Sequence, residues 1–174
     1  MNQKVFDKSE LADWDELVQF NNNCVLFNYI EAMPKKHHSD ASGYTVNKMG
    51  EKRKFNIEIK NRKQVLTDGG IISGETYTAD TVMIESHKVA DLLLDNIIGL
   101  EPLYVNFLNN CVIIFNLNKL TVRPEKSNVM NIKSSGYGKF EMAKRLFLSL
   151  KDAAIYKDNK LIKKPGEEWE KIQQ

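Results

Sequence analysis

Between Phe55 and Lys60 the chain alternates strictly. Phe55, Ile57 and Ile59 are apolar, and Asn56, Glu58, Lys60 and Arg62 are polar or charged. A period of two predicts a strand. At a rise of roughly 3.3 Å per residue, Glu58 and Lys60 leave one face of it about 6 to 7 Å apart, while the apolar residues bury the other face. A carboxylate and an ammonium held on a rigid platform are the arrangement that metal-assisted chemistry needs.

Around this strand the pattern predicts further elements. Leu11, Trp14, Leu17 and Val18 form a helical stripe behind Ser9, a candidate N-cap, and the helix ends near Asn21-Asn22-Asn23. The apolar run from Cys24 to Ile30 is too short to assign to helix or strand. Gly43 to Val46 reads as a strand joined by the Asn47–Gly50 turn to the Glu58 strand, as an antiparallel hairpin. The polar stretch from Asn61 to Asp80 reads as an excursion loop with room for a small hairpin. Thr81 to Ile84 is a short buried strand, and Ser86 caps a helix whose stripe is Val89, Leu92, Leu93 and Ile97, with Gly99 as its stop. Leu103–Leu108 and Cys111–Leu117 form a hairpin about Asn109-Asn110, apolar enough for the middle of a sheet covered on both sides. Lys133 to Gly138 has the composition of a flexible loop, Met142 to Leu150 suits a strand or a helix, and Lys151 to Tyr156 reads as a short helical turn. The expected organisation is one domain over residues 1–156 and a charged, frayed tail over 157–174.

Composition narrows the function. A formal charge of +2 in 174 residues gives no global attraction to nucleic acid, so any such binding must use local patches. Positive residues gather at Lys35-Lys36-His37-His38, Lys52-Arg53-Lys54, Lys60 to Lys63 and Lys144-Arg145, and acids gather at Asp7 to Glu16 and Glu167 to Glu170. Two distant cysteines, Cys24 and Cys111, suit buried thiols in a reducing compartment better than a disulfide framework. With no apolar run long enough to cross a bilayer, a soluble, cytoplasmic protein is expected. His37 and His38 lack partners at metal-ligand spacing and read as exposed loop residues, as does His87 in a first helical turn. No phosphate-binding glycine loop and no Ser/His/Asp arrangement is present.

The order helix, hairpin with an acidic strand, helix, strand, together with Glu58-Ile59-Lys60, resembles the PD-(D/E)XK nuclease superfamily. Its members cut phosphodiester bonds with a divalent metal, and compact examples include Holliday-junction resolvases. A second likeness lies in Glu85-Ser86-His87-Lys88 at a helix start, followed by a strand containing Leu103-Tyr104. The likeness covers about residues 41–120.

The resemblance implies an α+β (α/β) fold with a mixed central sheet flanked by helices and a restriction-endonuclease-like core. It implies a DNA endonuclease using Mg²⁺ (or Mn²⁺) held by Asp40, Glu58, the backbone carbonyl of Ile59 and Glu85. Asp40, Glu58, Lys60 and Lys88 are the implied catalytic set, with Lys60 orienting or deprotonating the attacking water. Arg62, Lys54, Arg53 and Lys36 are the implied contacts to DNA, branched or duplex, and a homodimer is a family expectation. One departure stands out: the spacing of compact members puts their Asp nearer Thr45, so that Asp40 must reach in from the strand entrance, or Glu85 or Glu31 must substitute. The alternative is a non-catalytic nucleic-acid-binding or assembly protein with a degenerate nuclease-like fold. A third reading is an α+β interaction domain with no nucleic-acid role.

Overall fold

A computed structural model describes residues 8–34, 37–73, 77–131 and 141–167. Helix α1 (Lys8–Cys24) precedes three antiparallel strands, β1 (Tyr29–Ala32), β2 (Ala41–Val46) and β3 (Lys52–Asn61). A small excursion follows, made of β4 (Val65–Thr67), β5 (Gly70–Ser73) and β6 (Tyr77–Ala79). Strand β7 (Thr81–Glu85) runs directly into α2 (Ser86–Leu94) and a 3₁₀ turn over Asp95–Ile98. Strands β8 (Leu100–Phe107) and β9 (Val112–Asn116) come next, then β10 (Glu125–Asn131) and β11 (Glu141–Ser149). A 3₁₀ turn over Leu150–Asp152 leads to β12 (Ala153–Lys157) and β13 (Lys160–Lys163).

The fold is α+β. Its central sheet has the order β1-β2-β3-β8-β9-β12-β13, mixed because β3 and β8 run parallel while the other pairs are antiparallel. A parallel pair needs a crossover. Here the chain makes it through the excursion, β7 and α2, which lie between β3 and β8 in sequence. Two smaller sheets, β10-β11-β7 and β4-β5-β6, complete the described fold.

Alternation along β3 and β8 decides what covers each face. Phe55, Ile57 and Ile59 join Leu103, Val105 and Phe107 in one core, closed by Leu17 and Phe20 of α1. Tyr104 with Ile113 and Phe115 of β9 enters a second core with Val82, Ile84, Leu92 and Leu148 from β7, α2 and β11. Asn56 and Glu58 therefore face a covered side of the sheet, and they are only 1% and 8% exposed. Two polar positions of the β3 pattern, Asn56 and Glu58, are thus buried, while Lys60 is exposed.

Several expectations hold. Gly50, at φ 83°, closes the β2–β3 turn by donating its N–H to the Asn47 carbonyl, and β8 and β9 pair antiparallel about Asn109-Asn110. Others are corrected. Ser9 lies inside α1, and Glu85 instead of Ser86 occupies the N-cap of α2 without a side-chain cap. The helix gives way after Leu94 to a tighter turn, which shifts the phase and leaves Ile97 82% exposed, so only Val89 and Leu92 are buried on α2. Strands β4, β5 and β6 form a three-stranded sheet where an excursion loop with room for a small hairpin was expected. The segment 142–149 is strand, and the expected helical turn over 151–156 is mostly strand β12. The loop expected over 133–138 lies outside the described residues, as does Lys36.

The frayed tail is also corrected for residues 157–167. Strand β13 pairs with β12, and Lys163 is buried with its ammonium donating to the carbonyls of Lys151, Ala153 and Lys164 at 3.0, 3.1 and 3.0 Å. Substituting Lys163→Met keeps the apolar stem and removes the donor these carbonyls share. It should lower unfolding stability by about 1–3 kcal/mol, seen as a lower urea midpoint at unchanged slope. An unchanged midpoint would show that the ammonium does not secure the C-terminal hairpin.

Candidate functional site

The site begins where β2 enters the sheet. Ala41 is the first β2 residue paired with β3, opposite Ile57, and Asp40 lies one position before it. The Asp40 N–H donates to the Ile57 carbonyl at 2.9 Å, and its Oδ2 accepts the N–H of Ile59 at 2.7 Å. The carboxylate thus replaces the backbone acceptor that a longer β2 would have supplied. In a strand the N–H and C=O of one residue point to the same edge. The Ile59 carbonyl is therefore directed to the edge that β2 leaves behind, beside Asp40.

Glu58 reaches the other side of this corner, under α2. Lys88, in the first turn of that helix, holds the carboxylate through both oxygens, at 3.0 Å from Oε1 and 3.2 Å from Oε2. Burial, reinforced by the nearby charge of Asp40, pushes the Glu58 carboxyl up to about 7, against the opposing pull of Lys88 and Lys60. Burial of the Lys88 ammonium works to lower its own pKa, but the charge and hydrogen bond of Glu58, with Asp40 and Glu85 behind them, leave it raised. A lysine at a helix N-terminus is unfavourable to the helix dipole. The two carboxylates offset that placement.

These groups line one cleft of about 280 Å³, together with Ile59, Lys60, Arg62, Met83, Glu85, Tyr104 and Asp13. Among the described residues no three His, Cys, Asp or Glu side chains come together as a metal cage. The donors present suit a different kind of cation site. Two carboxylates and a backbone carbonyl are hard oxygens, and Mg²⁺ binds through few protein ligands while keeping several waters. A carboxyl held near neutrality between burial and a second acid is also one that a cation would relieve. The residues therefore fit a divalent ion.

Of the residues singled out from sequence, Asp40, Glu58, Ile59, Lys60, Arg62, Glu85 and Lys88 meet in this cleft. Thr45 does not, since it pairs with Arg53 at the far end of the hairpin, and Glu31 faces Ser42 on β1, whose hydroxyl it accepts at 3.0 Å. Of the candidate acids, Asp40 and Glu85 both line the cleft beside Glu58. Arg53 and Lys54 stand five and four residues up β3 from Glu58, roughly 16 and 13 Å along the strand. The Arg53 guanidinium is moreover forked onto Glu101 at 2.7 and 2.6 Å. Arg62 lines the cleft but braces the protein, donating Nε to Asn106 at 2.9 Å and Nη2 to the Tyr104 hydroxyl at 2.8 Å and to the Met83 carbonyl. A phosphate would have to compete with those acceptors.

Two features escaped the sequence. Asp13 of α1 lines the cleft, and its only signal was an acid on the polar side of a helix whose apolar stripe includes Leu17. His38, expected in an exposed loop, is partly buried with Nε2 at 2.5 Å from Asp95 Oδ2. Sequence separation of 57 residues hides that contact. His87 is exposed as expected.

No protein-family model matches the chain, and no curated protein does. Among solved structures the chain is similar to a Holliday junction resolvase from the archaeal hyperthermophile Archaeoglobus fulgidus. The two share 13% identity at a TM-score of 0.46, over 80% of this chain and 83% of that one. The case for chemistry therefore rests on the side chains described above.

The raised Glu58 carboxyl has a consequence for stability. It titrates near 7 in the fold against 4.5 for the ordinary group, so between these values the folded protein keeps a proton that the unfolded chain has released. This contribution favours the fold most below about pH 4.5 and is lost as pH rises to about 7, by on the order of 3 kcal/mol. In metal-free protein the melting temperature of wild type should therefore fall relative to Glu58→Gln between about pH 5 and pH 8. Parallel melting curves across that range would refute the raised carboxyl.

Proposed function

We propose that this chain is a divalent-metal-dependent DNA endonuclease of the PD-(D/E)XK type, hydrolysing phosphodiester bonds. The observation that carries the reading is the meeting of Asp40 and Glu58 in one cleft, next to Lys60 and the Ile59 carbonyl edge. The order of helix, hairpin, helix and parallel strand agrees with it.

In this reading Asp40, Glu58 and the Ile59 carbonyl hold Mg²⁺ or Mn²⁺, with Glu85 at the rim. Such an ion, when bound, polarises the phosphoryl oxygens and makes water a better nucleophile at neutral pH. Lys60 would orient the attacking water or help take its proton, and in its protonated form would offset negative charge on the scissile group. Lys88 favours the ionised form of Glu58 against its burial and holds the carboxylate through both oxygens. Lys54 is a more distant contact to the DNA backbone, and duplex and branched DNA are the substrates to try first, with a homodimer as the form to look for.

The competing reading is a nucleic-acid-binding protein that does not cut. It is favoured by Lys88, which already occupies both oxygens of Glu58. Cleavage assays with plasmid and branched DNA separate the two. Glu58→Ala and Lys60→Ala should each lose about 10²–10³-fold in cleavage rate while keeping their fold and DNA affinity. Mn²⁺ should raise the melting temperature of wild type and leave Glu58→Ala unmoved. Wild-type cutting by both variants, or no thermal response of wild type to the metal, overturns the nuclease.

A further inference from the structure

We propose that Asp95, which lines no part of the cleft, is a positioning residue for it: one carboxylate oxygen ties together the segments that carry Asp40, Glu58 and Lys88. The inference rests on the reading of Asp40 and Glu58 as the ligand pair. It adds a group outside the cleft that sets their spacing.

The geometry is convergent. Asp95 Oδ2 lies 2.5 Å from His38 Nε2 and accepts Asn56 Nδ2 at 2.9 Å. His38 stands two residues before Asp40, and Asn56 stands two residues before Glu58 on the same face of β3. Asp95 itself follows directly on α2, seven residues and about two turns beyond Lys88. Asn56 is thus the same-face neighbour of Glu58 on β3, His38 lies two residues before Asp40 in the bend that leads into β2, and the third segment is the helix that bears the cleft lysine.

The junction is half-buried, with the Asp95 and His38 side chains 15% and 33% exposed, and it is braced by further contacts. Asn56 is 1% exposed and gives its amide a second acceptor, the Leu92 carbonyl at 3.1 Å, which holds the end of α2 to β3. The His37 ring stacks on His38 with centroids 4.2 Å apart and lies 2.9 Å, through Nδ1, from the hydroxyl of buried Ser39. Backbone bonds from Asp40 to Ile57 and from Met33 to Asp40 fix where the loop joins the sheet. Within the turn the His37 N–H donates to the Pro34 carbonyl at 2.9 Å, and the contact that ties His38 to α2 is the one its ring makes with Asp95. A carboxylate that accepts from two donors resists displacement more than one held by either bond alone.

A purely structural role for Asp95 predicts a lower melting temperature and nothing more. A positioning role also predicts a change in metal affinity, which does not depend on turnover. The test is Mn²⁺ titration calorimetry on the full chain, with melting temperatures and DNA cleavage measured alongside. Asp95→Asn and His38→Ala should remain folded and bind Mn²⁺ about 10-fold or more weakly, whereas His38→Gln, which keeps a donor of similar reach, should stay near wild type. Cleavage by the weakened variants should recover as Mg²⁺ is raised, because the residues in the cleft are intact.

Glu58→Ala is the control that separates the two levels of inference. If it abolishes Mn²⁺ binding while Asp95→Asn and His38→Ala bind like wild type, the positioning role is wrong and the ligand pair stands. If Glu58→Ala binds Mn²⁺ as wild type does, the ligand pair is wrong and the role of Asp95 falls with it. A variant that fails to fold is replaced by the other member of the Asp95→Asn and His38→Ala pair, each of which breaks the same contact from opposite sides.

Discussion

Asp40 closes the β2–β3 ladder twice, with its backbone N–H on Ile57 and its side chain on Ile59, and the candidate site depends on that double attachment. A strand paired one residue out of step would turn its side chains to the wrong faces. By bonding to two successive inward-facing rungs, Asp40 fixes the register at the point where β2 ends. It also leaves the next stretch of β3 edge uncovered. A full-length β2 would have sealed the Ile59 carbonyl into a ladder, and a shorter one would have left no acid beside it.

The second constraint is electrostatic. Placing Glu58 at 8% exposure, close to another carboxylate, works against stability, and Lys88 offsets only part of that effect. Ordinary packing would favour an apolar residue here, since removing a buried pair for well-packed hydrophobes is often neutral or stabilising. A protein that keeps such a group in a cleft holds a local reserve of unfavourable energy, and functional sites are where such reserves are found. Lys88 enters from the helix that completes the β3–β8 crossover, so the topology and the charge arrangement are linked: the same parallel pairing that demands a connection brings the ammonium over the carboxylate.

Much of this was legible in the chain. The two-residue period of β3, the Asn-rich turn between β8 and β9, and the Gly99 stop after the α2 region are local signals, and these survive into the fold. The pairing of Glu58 with Lys60 on one face follows from alternation alone, and its resemblance to a nuclease motif led to Lys88. What failed was whatever depended on register or on distant partners. Asp40 was named from sequence although family spacing pointed to Thr45, and only the Ala41–Ile57 pairing shows that Thr45 lies at the far end of the hairpin. Arg62 has the chemistry of a phosphate contact, but its reach to Asn106, Tyr104 and Met83 comes from three separate elements. The charged stretch after Tyr156 looked like a tail because nothing in its composition reveals that the carbonyls of Lys151 and Ala153 wait for the Lys163 ammonium.

Arg62 also marks the neck of the β4–β6 excursion, which leaves β3 there and returns at β7, whose Met83 carbonyl the same guanidinium binds. Just beyond it, the Asn110 side chain grips both the N–H and the carbonyl of Leu66. The excursion is therefore stitched down at its root, and its described strands contribute no residue to the cleft. Leu66 of β4 and Ile71 of β5 nevertheless enter the same core as Val82 and Ile84 of β7 and Leu92 of α2, so the small sheet buttresses, from outside the cleft, the two elements that carry Glu85 and Lys88.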